Sequence, residues 1–426
     1  MTSLPNNLGQ WLQYIDAGHT AEIDLGLERI RPVAERLQLL SPWPMLVITV
    51  AGTNGKGSTV ALMDAIAAAQ GLRVGCYTSP HFLAYNERVG LAGIDASDAQ
   101  LCEAFAAVEA ARVADGVTLT YFEYGTLAAL WLFRREPLDL LLLEVGLGGR
   151  LDAVNLVDPD VAVVTTVALD HQSWLGDDRE VIGREKAGIC RPGRPLVYGE
   201  TDLPESVAMV CREQRARLLR WGQDFGPRGG GADWGWFGVD AAGGEREFGA
   251  LPLPQLPLPN AATAIQALLL AGVTCDVTAL RQGLATAALT GRMQRLEHGG
   301  RELLLDVAHN PHAATYLATR LAPIAGQRWC VVGMLADKDI PATLKALGDR
   351  VDRWLPVTLG VPRGATAARL GEMLGQPGIA GYSSVAAALE YALAQSRAGD
   401  QILVTGSFYT VAGALELLAE PADAAN

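Results

Sequence analysis

Three groups of residues in this chain have types and spacings suited to chemistry. The first is residues 47–66, VITVAGTNGKGSTVALMDAI, which read as an apolar strand, a small-residue turn and a helix. A strand ending in Gly52, Thr53, Asn54 and Gly55 lets the backbone turn tightly and aim several N–H groups at one point. The following helix adds the positive end of its dipole. Lys56 could then reach the β- and γ-phosphates of a nucleoside triphosphate, while Ser58 or Thr59 offers a hydroxyl to Mg2+. The spelling departs from the common G-x-x-x-x-G-K-[ST]: the loop is short at Gly52, and Gly57 separates Lys56 from Ser58. A glycine turn with a surface lysine is the bland alternative. The strand on one side and the helix on the other favour nucleotide binding.

The second group follows other apolar runs. Glu144 ends LDLLLLEVGLGG, where an open α/β sheet places its ligand crevice, so it reads as a Mg2+ ligand rather than a solvated side chain. His171, in VAVVTTVALDHQSW, is either a loop imidazole held by Asp170 or a second metal ligand at the same sheet edge. Ser79 ends the strand after the first helix, in CYTSPHF. Lys186 lies in REVIGREKAGI, where the plain reading is a solvated basic face shared with Glu185. Glu123 closes TYFE, a Thr-x-x-Glu capping box, and capping alone accounts for it. The third group is Asp306 and His309 in ELLLDVAHNPH. Pro311 spoils helical spacing between His309 and His312, so a strand-end nucleotide or substrate contact is expected there, not a metal pair.

These groups need elements to position them. At 426 residues the chain exceeds one core, and two or three domains are expected. Continuous apolar runs at 45–50, 138–145, 160–167 and 195–198 suit strands buried on both faces of a parallel sheet. Helical patterns at 97–113 and 120–135 alternate with them, giving a doubly wound α/β domain. Residues 226–249, rich in glycine and tryptophan, predict an antiparallel excursion. LPLPQLPLPN then predicts an extended connector, with Asn260 capping the next helix. A second rhythm follows: strands at 302–306, 329–334, 353–358 and 401–405, with helices near 312–322, 341–348, 365–374 and 384–396. The fold expected is α/β: a P-loop-type, mostly parallel sheet domain over 1–293 and a smaller Rossmann-like α/β domain over 294–426.

Composition narrows the class of function. Half the residues are hydrophobic, 19% are charged and the net charge is −13, which suits a globular protein and argues against nucleic-acid or anionic-membrane surfaces. No apolar run approaches the ~18 residues of a spanning helix. The N-terminal stretch lacks the basic and apolar regions of a signal peptide. Six scattered cysteines without a C-x-x-C pair read as reduced thiols, so a cytoplasmic location is expected.

The motifs taken together resemble the folylpolyglutamate synthase family, and within it the bifunctional dihydrofolate synthase/folylpolyglutamate synthases, of the broader Mur-ligase group. The matching stretches run in order along the chain: DLGLERI, VAGTNGKGST, TSPH, TYFEYGT, LEVGLGGRLDA, ALDH, GREKAGI, PNAATA, GRMQ, DVAHNPHA, GMLADKD and GSFYTV. The resemblance implies ATP phosphorylating a substrate carboxylate, followed by attack of L-glutamate on the acyl phosphate to give an amide. It implies dihydropteroate and reduced folates as acceptors, ATP and two Mg2+ sites, with K+ admitted as an additional ion, and a monomer. Gly52, Thr53, Asn54, Gly55, Lys56, Gly57, Ser58 and Thr59 would hold ATP with Asn260, Arg292 and Asp306. Ser58, Ser79, Glu144, His171 and a carbamylated Lys186 would surround the metals, and His309 would lie near the reacting phosphate. The pterin-bearing substrate would meet Asp24, Leu25, Gly26, Leu27, Tyr121, Phe122, Glu123, Tyr124, Leu151, Asp152 and Ala153.

Two other readings compete. A cell-wall Mur ligase would carry a nucleotide-sugar domain before the P-loop, and only 51 residues precede Gly52. A P-loop switch that does not ligate would need neither Lys186 nor the second domain. Within the family, a monofunctional folylpolyglutamate synthase remains the nearest alternative.

Overall fold

The computed structural model describes residues 4–19, 21, 23–229, 233–376 and 378–419. The chain forms two compact units. One takes in the residues up to His81 together with Tyr85–Ala287; the other comprises Phe82–Ala84 and the residues from Ala288 onward.

The first unit is built on eight strands: β1 Leu46–Ala51, β2 Val74–Tyr77, β3 Val89–Leu91, β4 Ile94–Asp95, β5 Leu140–Glu144, β6 Val161–Val164, β7 Leu196–Tyr198 and β8 Leu218–Arg220. Their order across the sheet is β4-β3-β2-β5-β1-β6-β7-β8. All pairings are parallel except the two at the β3–β4 edge, which are antiparallel. The central strands are apolar throughout because helices cover both faces: every residue of β5 and of β6 is buried. Register then decides where the chemistry lies. Val50 pairs with Glu144 on one side and with Val163 on the other, so β1, β5 and β6 end together. Strand β2 ends level with them, Tyr77 pairing with Leu143.

The glycine- and tryptophan-rich stretch folds as expected, into a separate antiparallel sheet. It comprises β9 Gly226–Arg228, β10 Asp233–Val239 and β11 Glu245–Pro252; its residues 230–232 lie outside the described residues. In β10 the tryptophans alternate inward, with Trp234 and Trp236 both buried. One local expectation is corrected. Asn260 does not cap the next helix, which begins at Leu258 behind Pro257. Two prolines supply a preset helical φ and need no donor, so the first turn forms two residues early. Asn260 is thereby placed inside the helix and buried.

The second unit has strands β12 Gln294–His298, β13 Arg301–Leu305, β14 Arg328–Val332, β15 Arg353–Pro356 and β16 Gln401–Thr405, ordered β12-β13-β16-β14-β15. Only β12 runs antiparallel, as an edge hairpin with β13. Successive residues of these strands alternate between two apolar clusters. Leu304, Cys330, Val332 and Leu403 face one layer of helices, and Leu303, Leu305, Val331 and Val404 the other. The expected architecture, a parallel P-loop-type sheet followed by a smaller Rossmann-like α/β unit, is the one found. All six cysteines are free thiols.

Candidate active site

The P-loop is set by close approach to the segment after β6. Gly52 has φ +152, and a Cβ there would fall 1.8 Å from Thr165 Oγ1, so no side chain fits. Gly55 stands in the left-handed region at φ +85, with Asn260 Oδ1 only 2.8 Å from a would-be Cβ. The backbone N–H of Asn54 donates to Thr166 Oγ1 at 2.9 Å, and Thr165 Oγ1 donates to Asn54 O at 2.6 Å. The Thr53 hydroxyl bonds the backbone of Ala168 in both directions. Thr165 and Thr166 were not singled out by sequence reasoning. Their signal, a Thr-Thr pair ending an apolar strand, is common and points nowhere until β1 and β6 are known to be neighbours.

The helix Lys56–Ala69 opens directly from this loop. Lys56 Nζ donates to Gly52 O at 3.1 Å, curling over the loop it follows. Ser58 is buried, and its hydroxyl has no hydrogen-bond partner among the described residues. Thr59 is also buried, but its hydroxyl donates to Gly55 O at 2.8 Å and closes the turn. Of the two hydroxyls, Ser58 is the one left over for a cation or phosphate.

Lys56 and Lys186 line one cleft with Gly52, Val145–Gly148, Asp170 and His171. Glu144, immediately before it, is buried and accepts from Ser79 N at 3.2 Å, tying the end of β5 to the loop after β2. His171 is exposed, in a left-handed conformation at φ 51, with its backbone N–H held by Asp170 Oδ1 at 2.8 Å. The plain reading of Lys186 is overturned. It is buried, and its ammonium makes no hydrogen bond or ion pair among the described residues. Glu185 turns the other way, to Arg150. Burial, and then the neighbouring charge of Lys56, push the Lys186 ammonium down to about 7. Among the described residues no cluster of His, Cys, Asp and Glu is sufficient to hold a metal. A cation here would draw on hydroxyls, Glu144, His171 and an anionic form of Lys186.

The residues expected to meet a pterin-bearing substrate fall into two kinds. Leu25, Gly26, Leu27, Tyr121, Phe122 and Leu151 are half-buried. The Phe122 ring packs over Gly146, where a Cβ would lie 2.6 Å from it, and so joins the helix Tyr121–Phe133 to the glycine turn after β5. Glu123, Tyr124 and Asp152 instead spend their polar groups inside the protein. Glu123 forms the capping box, accepting from Thr120 N at 2.7 Å. Tyr124 Oη donates to Glu109 at 2.9 Å. Asp152 accepts from Leu147 N and Val154 N, both at 2.9 Å, and burial raises its carboxyl to about 6 despite those bonds. Asp24 is exposed, and Ala153 is buried. Sequence reasoning missed Arg29, which grips Glu123 with both nitrogens at 2.9 and 2.8 Å. It also missed Arg88, a buried guanidinium lying over the rings of Tyr85 and Tyr121.

In the second unit Asp306 follows β13 and accepts from Met293 N and Ala308 N, each at 2.9 Å. Burial raises its carboxyl, opposed by Arg292. The Arg292 guanidinium lies 5.0 Å above the ring of Phe408, and the His309 ring is 6.3 Å from the same ring. Two residues named from separate motifs, Arg292 and His309, are thus gathered around Phe408 of GSFYTV. His312 is exposed on the first turn of the helix Pro311–Arg320.

The Mur ligase, glutamate ligase domain family matches residues 291–408. The dihydrofolate synthase/folylpolyglutamate synthase of Escherichia coli (strain K12) is 48% identical over 413 residues, covering 96% of this chain and 95% of that protein. This chain belongs to the dihydrofolate synthase/folylpolyglutamate synthase family. Among solved structures, E. coli FolC in complex with DHPP and ADP superposes with a TM-score of 0.91 at 48% identity, covering 97% of this chain and 98% of that one. A bifunctional folylpolyglutamate synthase/dihydrofolate synthase with Mn, AMPPNP and L-glutamate bound gives 0.89 at 48% identity, covering 97% and 98%. As a member of the family the chain is an ATP-dependent ligase of folate metabolism.

Proposed function

We propose that the chain adds L-glutamate to dihydropteroate and to the γ-carboxyl of reduced folates, with the first unit holding ATP and the acceptor acid and the second completing the glutamate ligase. One observation carries the placement of the chemistry. Lys56 and Lys186 line a single cleft at the joined ends of β1, β5 and β6, with Glu144 beside it. The turn Gly52–Gly55 and Lys56 cradle the triphosphate. The acceptor carboxylate takes the γ-phosphoryl group, and Lys56 offsets the repulsion between two anions. The amine of L-glutamate then displaces phosphate, forming the amide. Arg292, Asp306 and His309 serve the nucleotide and the transferred phosphoryl group. Asn260 acts by bracing Gly55.

Lys186 supports a further part of this reading. An amine with a value of about 7 has a substantial neutral fraction near neutral pH, and in that form its lone pair can attack CO2 and yield a carbamate plus a proton. The carbamate would convert a buried cation into an anion beside His171. Mg2+ bound by Ser58, Ser79, Glu144, His171 and this carbamate would neutralise the charge of the phosphates. K+ is a secondary ion in this scheme. The protein acts in the cytoplasm as a monomer, on small molecules only.

The test is ATP turnover with each substrate left out in turn. Release of ADP and phosphate should require an acceptor acid and L-glutamate together, and should occur with dihydropteroate and with tetrahydrofolate. Turnover without either substrate would overturn ligation. Turnover with tetrahydrofolate alone as acceptor would reduce the enzyme to a monofunctional synthase.

A further inference from the structure

We propose that Arg29 is a positioning residue that sets the acceptor pocket of the first unit by holding two of its walls together. This rests on assigning Asp24–Leu27 and Tyr121–Tyr124 to the pterin-bearing acid. The guanidinium of Arg29 makes the link directly. Nη1 donates to Glu123 Oε2 at 2.9 Å and Nη2 to Glu123 Oε1 at 2.8 Å, a fork-to-fork pair. The same Nη2 lies 2.9 Å from Asp24 Oδ2. Nη1 also donates to the carbonyl of Thr118, just before the helix Tyr121–Phe133 begins. One side chain therefore joins the loop before residue 29 to the first turn of a helix 94 positions away.

The partners divide the work. Glu123 is 5% exposed at its side chain. Its two oxygens already receive both Arg29 nitrogens and the backbone N–H of Thr120. It has no face to offer a ligand. Asp24 differs: its side chain is 46% exposed, and among the described residues its ion pairs are made at Oδ2, with Arg29 and with His19 Nε2 at 3.6 Å. Arg29 thus fixes the direction in which a half-open carboxylate faces the pocket. A carboxylate held at one oxygen is the natural acceptor for the adjacent N–H donors of a pterin ring edge. Lysine cannot replace this arrangement, because a single ammonium lacks the planar fork that spans two carboxylates.

Arg29→Ala, Arg29→Lys, Asp24→Asn and Phe122→Ala in the full chain test the proposal, with KM for dihydropteroate, KM for ATP, kcat and the melting temperature measured for each. For Arg29→Ala the expected result is a rise of about tenfold or more in KM for dihydropteroate, with kcat and KM for ATP changed by less than about twofold. Arg29→Lys should recover only part of that loss, and Asp24→Asn should raise the same KM. An arginine that merely supports the fold would lower the active fraction, and so kcat, leaving both KM values alone. That result, or full rescue by lysine, overturns the proposal. If Arg29→Ala does not fold, Arg29→Lys and Asp24→Asn decide the matter by the same criteria. If Phe122→Ala raises KM for dihydropteroate and the Arg29 variants do not, the pocket stands and the positioning role fails. If none of the four moves it, the pocket assignment itself is wrong.

Discussion

Lys186 shows how much a single residue's meaning depends on its surroundings. In the sequence it stands beside Glu185 in a polar run; in the fold it is buried four residues before Cys190 while Glu185 bonds outward to Arg150. A buried ammonium without an ion pair among the described residues is costly, which marks Lys186 as a functional-site residue. Lys186→Ala is expected to reduce ligation by a factor on the order of 10²–10³, to be partly restored by added short carboxylates, and to leave the melting temperature unchanged or raised. Steady-state assays with and without acetate check this. A fully active variant would remove carbamylation from the mechanism.

At the scale of elements, the P-loop and the helices around residues 109–124 are held by different means. The P-loop depends on absent side chains. Gly55→Ala would need a left-handed alanine, costing ~1–2 kcal/mol, and would drive its Cβ into Asn260, 2.8 Å away. We expect KM for ATP to rise about tenfold and the melting temperature to fall; unchanged ATP affinity would show that the loop geometry is not required. The helix Asp98–Asp115 instead uses a buried carboxylate. Glu109 accepts from Tyr14 at 2.7 Å, from Tyr124 at 2.9 Å and from Arg112 with two nitrogens. Burial pushes its carboxyl upward, but the hydrogen bonds from Arg112, Tyr14 and Tyr124 outweigh it and hold the value below the usual 4.5. A folded-state value below the unfolded one gives stability that is full above pH 4.5 and lost as pH falls through the folded value. Glu109→Gln should therefore cost ~1–3 kcal/mol near neutral pH, with the gap to the parent protein narrowing in acid. Denaturant titrations from neutral pH downward would reveal it; a gap independent of pH would be inconsistent with this account.

For the whole molecule, the net charge of −13 has to coexist with a substrate pair that is itself anionic. On the proposed reading local cations resolve this: Lys56 and Lys186 in the first unit, and Arg292 beside Asp306 in the second. Divalent cations are the remaining source of positive charge. Chelation should abolish ATP turnover with both acceptors, and Mg2+ should restore it. The melting temperature of the nucleotide-free protein should move little, since each unit has its own apolar core. Turnover that survives chelation would exclude the metal ligands proposed for Ser58 and Glu144.

By itself the sequence determined what short-range physics controls. Continuous apolar runs specified strands covered on both faces, the glycines of VAGTNGKGST specified a tight turn between a strand and a helix, and Thr120 with Glu123 specified a helix start that is found as a capping box. Each depends on residues within a few positions of one another. The tertiary structure decided the long-range partners. The register of β1 against β5 and β6 set Glu144 beside Val50 and brought Thr166 against Thr53 and Asn54 of the following loop. Two prolines moved Asn260 from a cap to a brace under Gly55. The fold turned the hydroxyl of Tyr124 inward to Glu109 and gave Glu123 its second partner, Arg29. A hydrogen bond across 94 residues leaves no periodic trace in the chain, because it is fixed by how separate elements pack and not by the residues next to it.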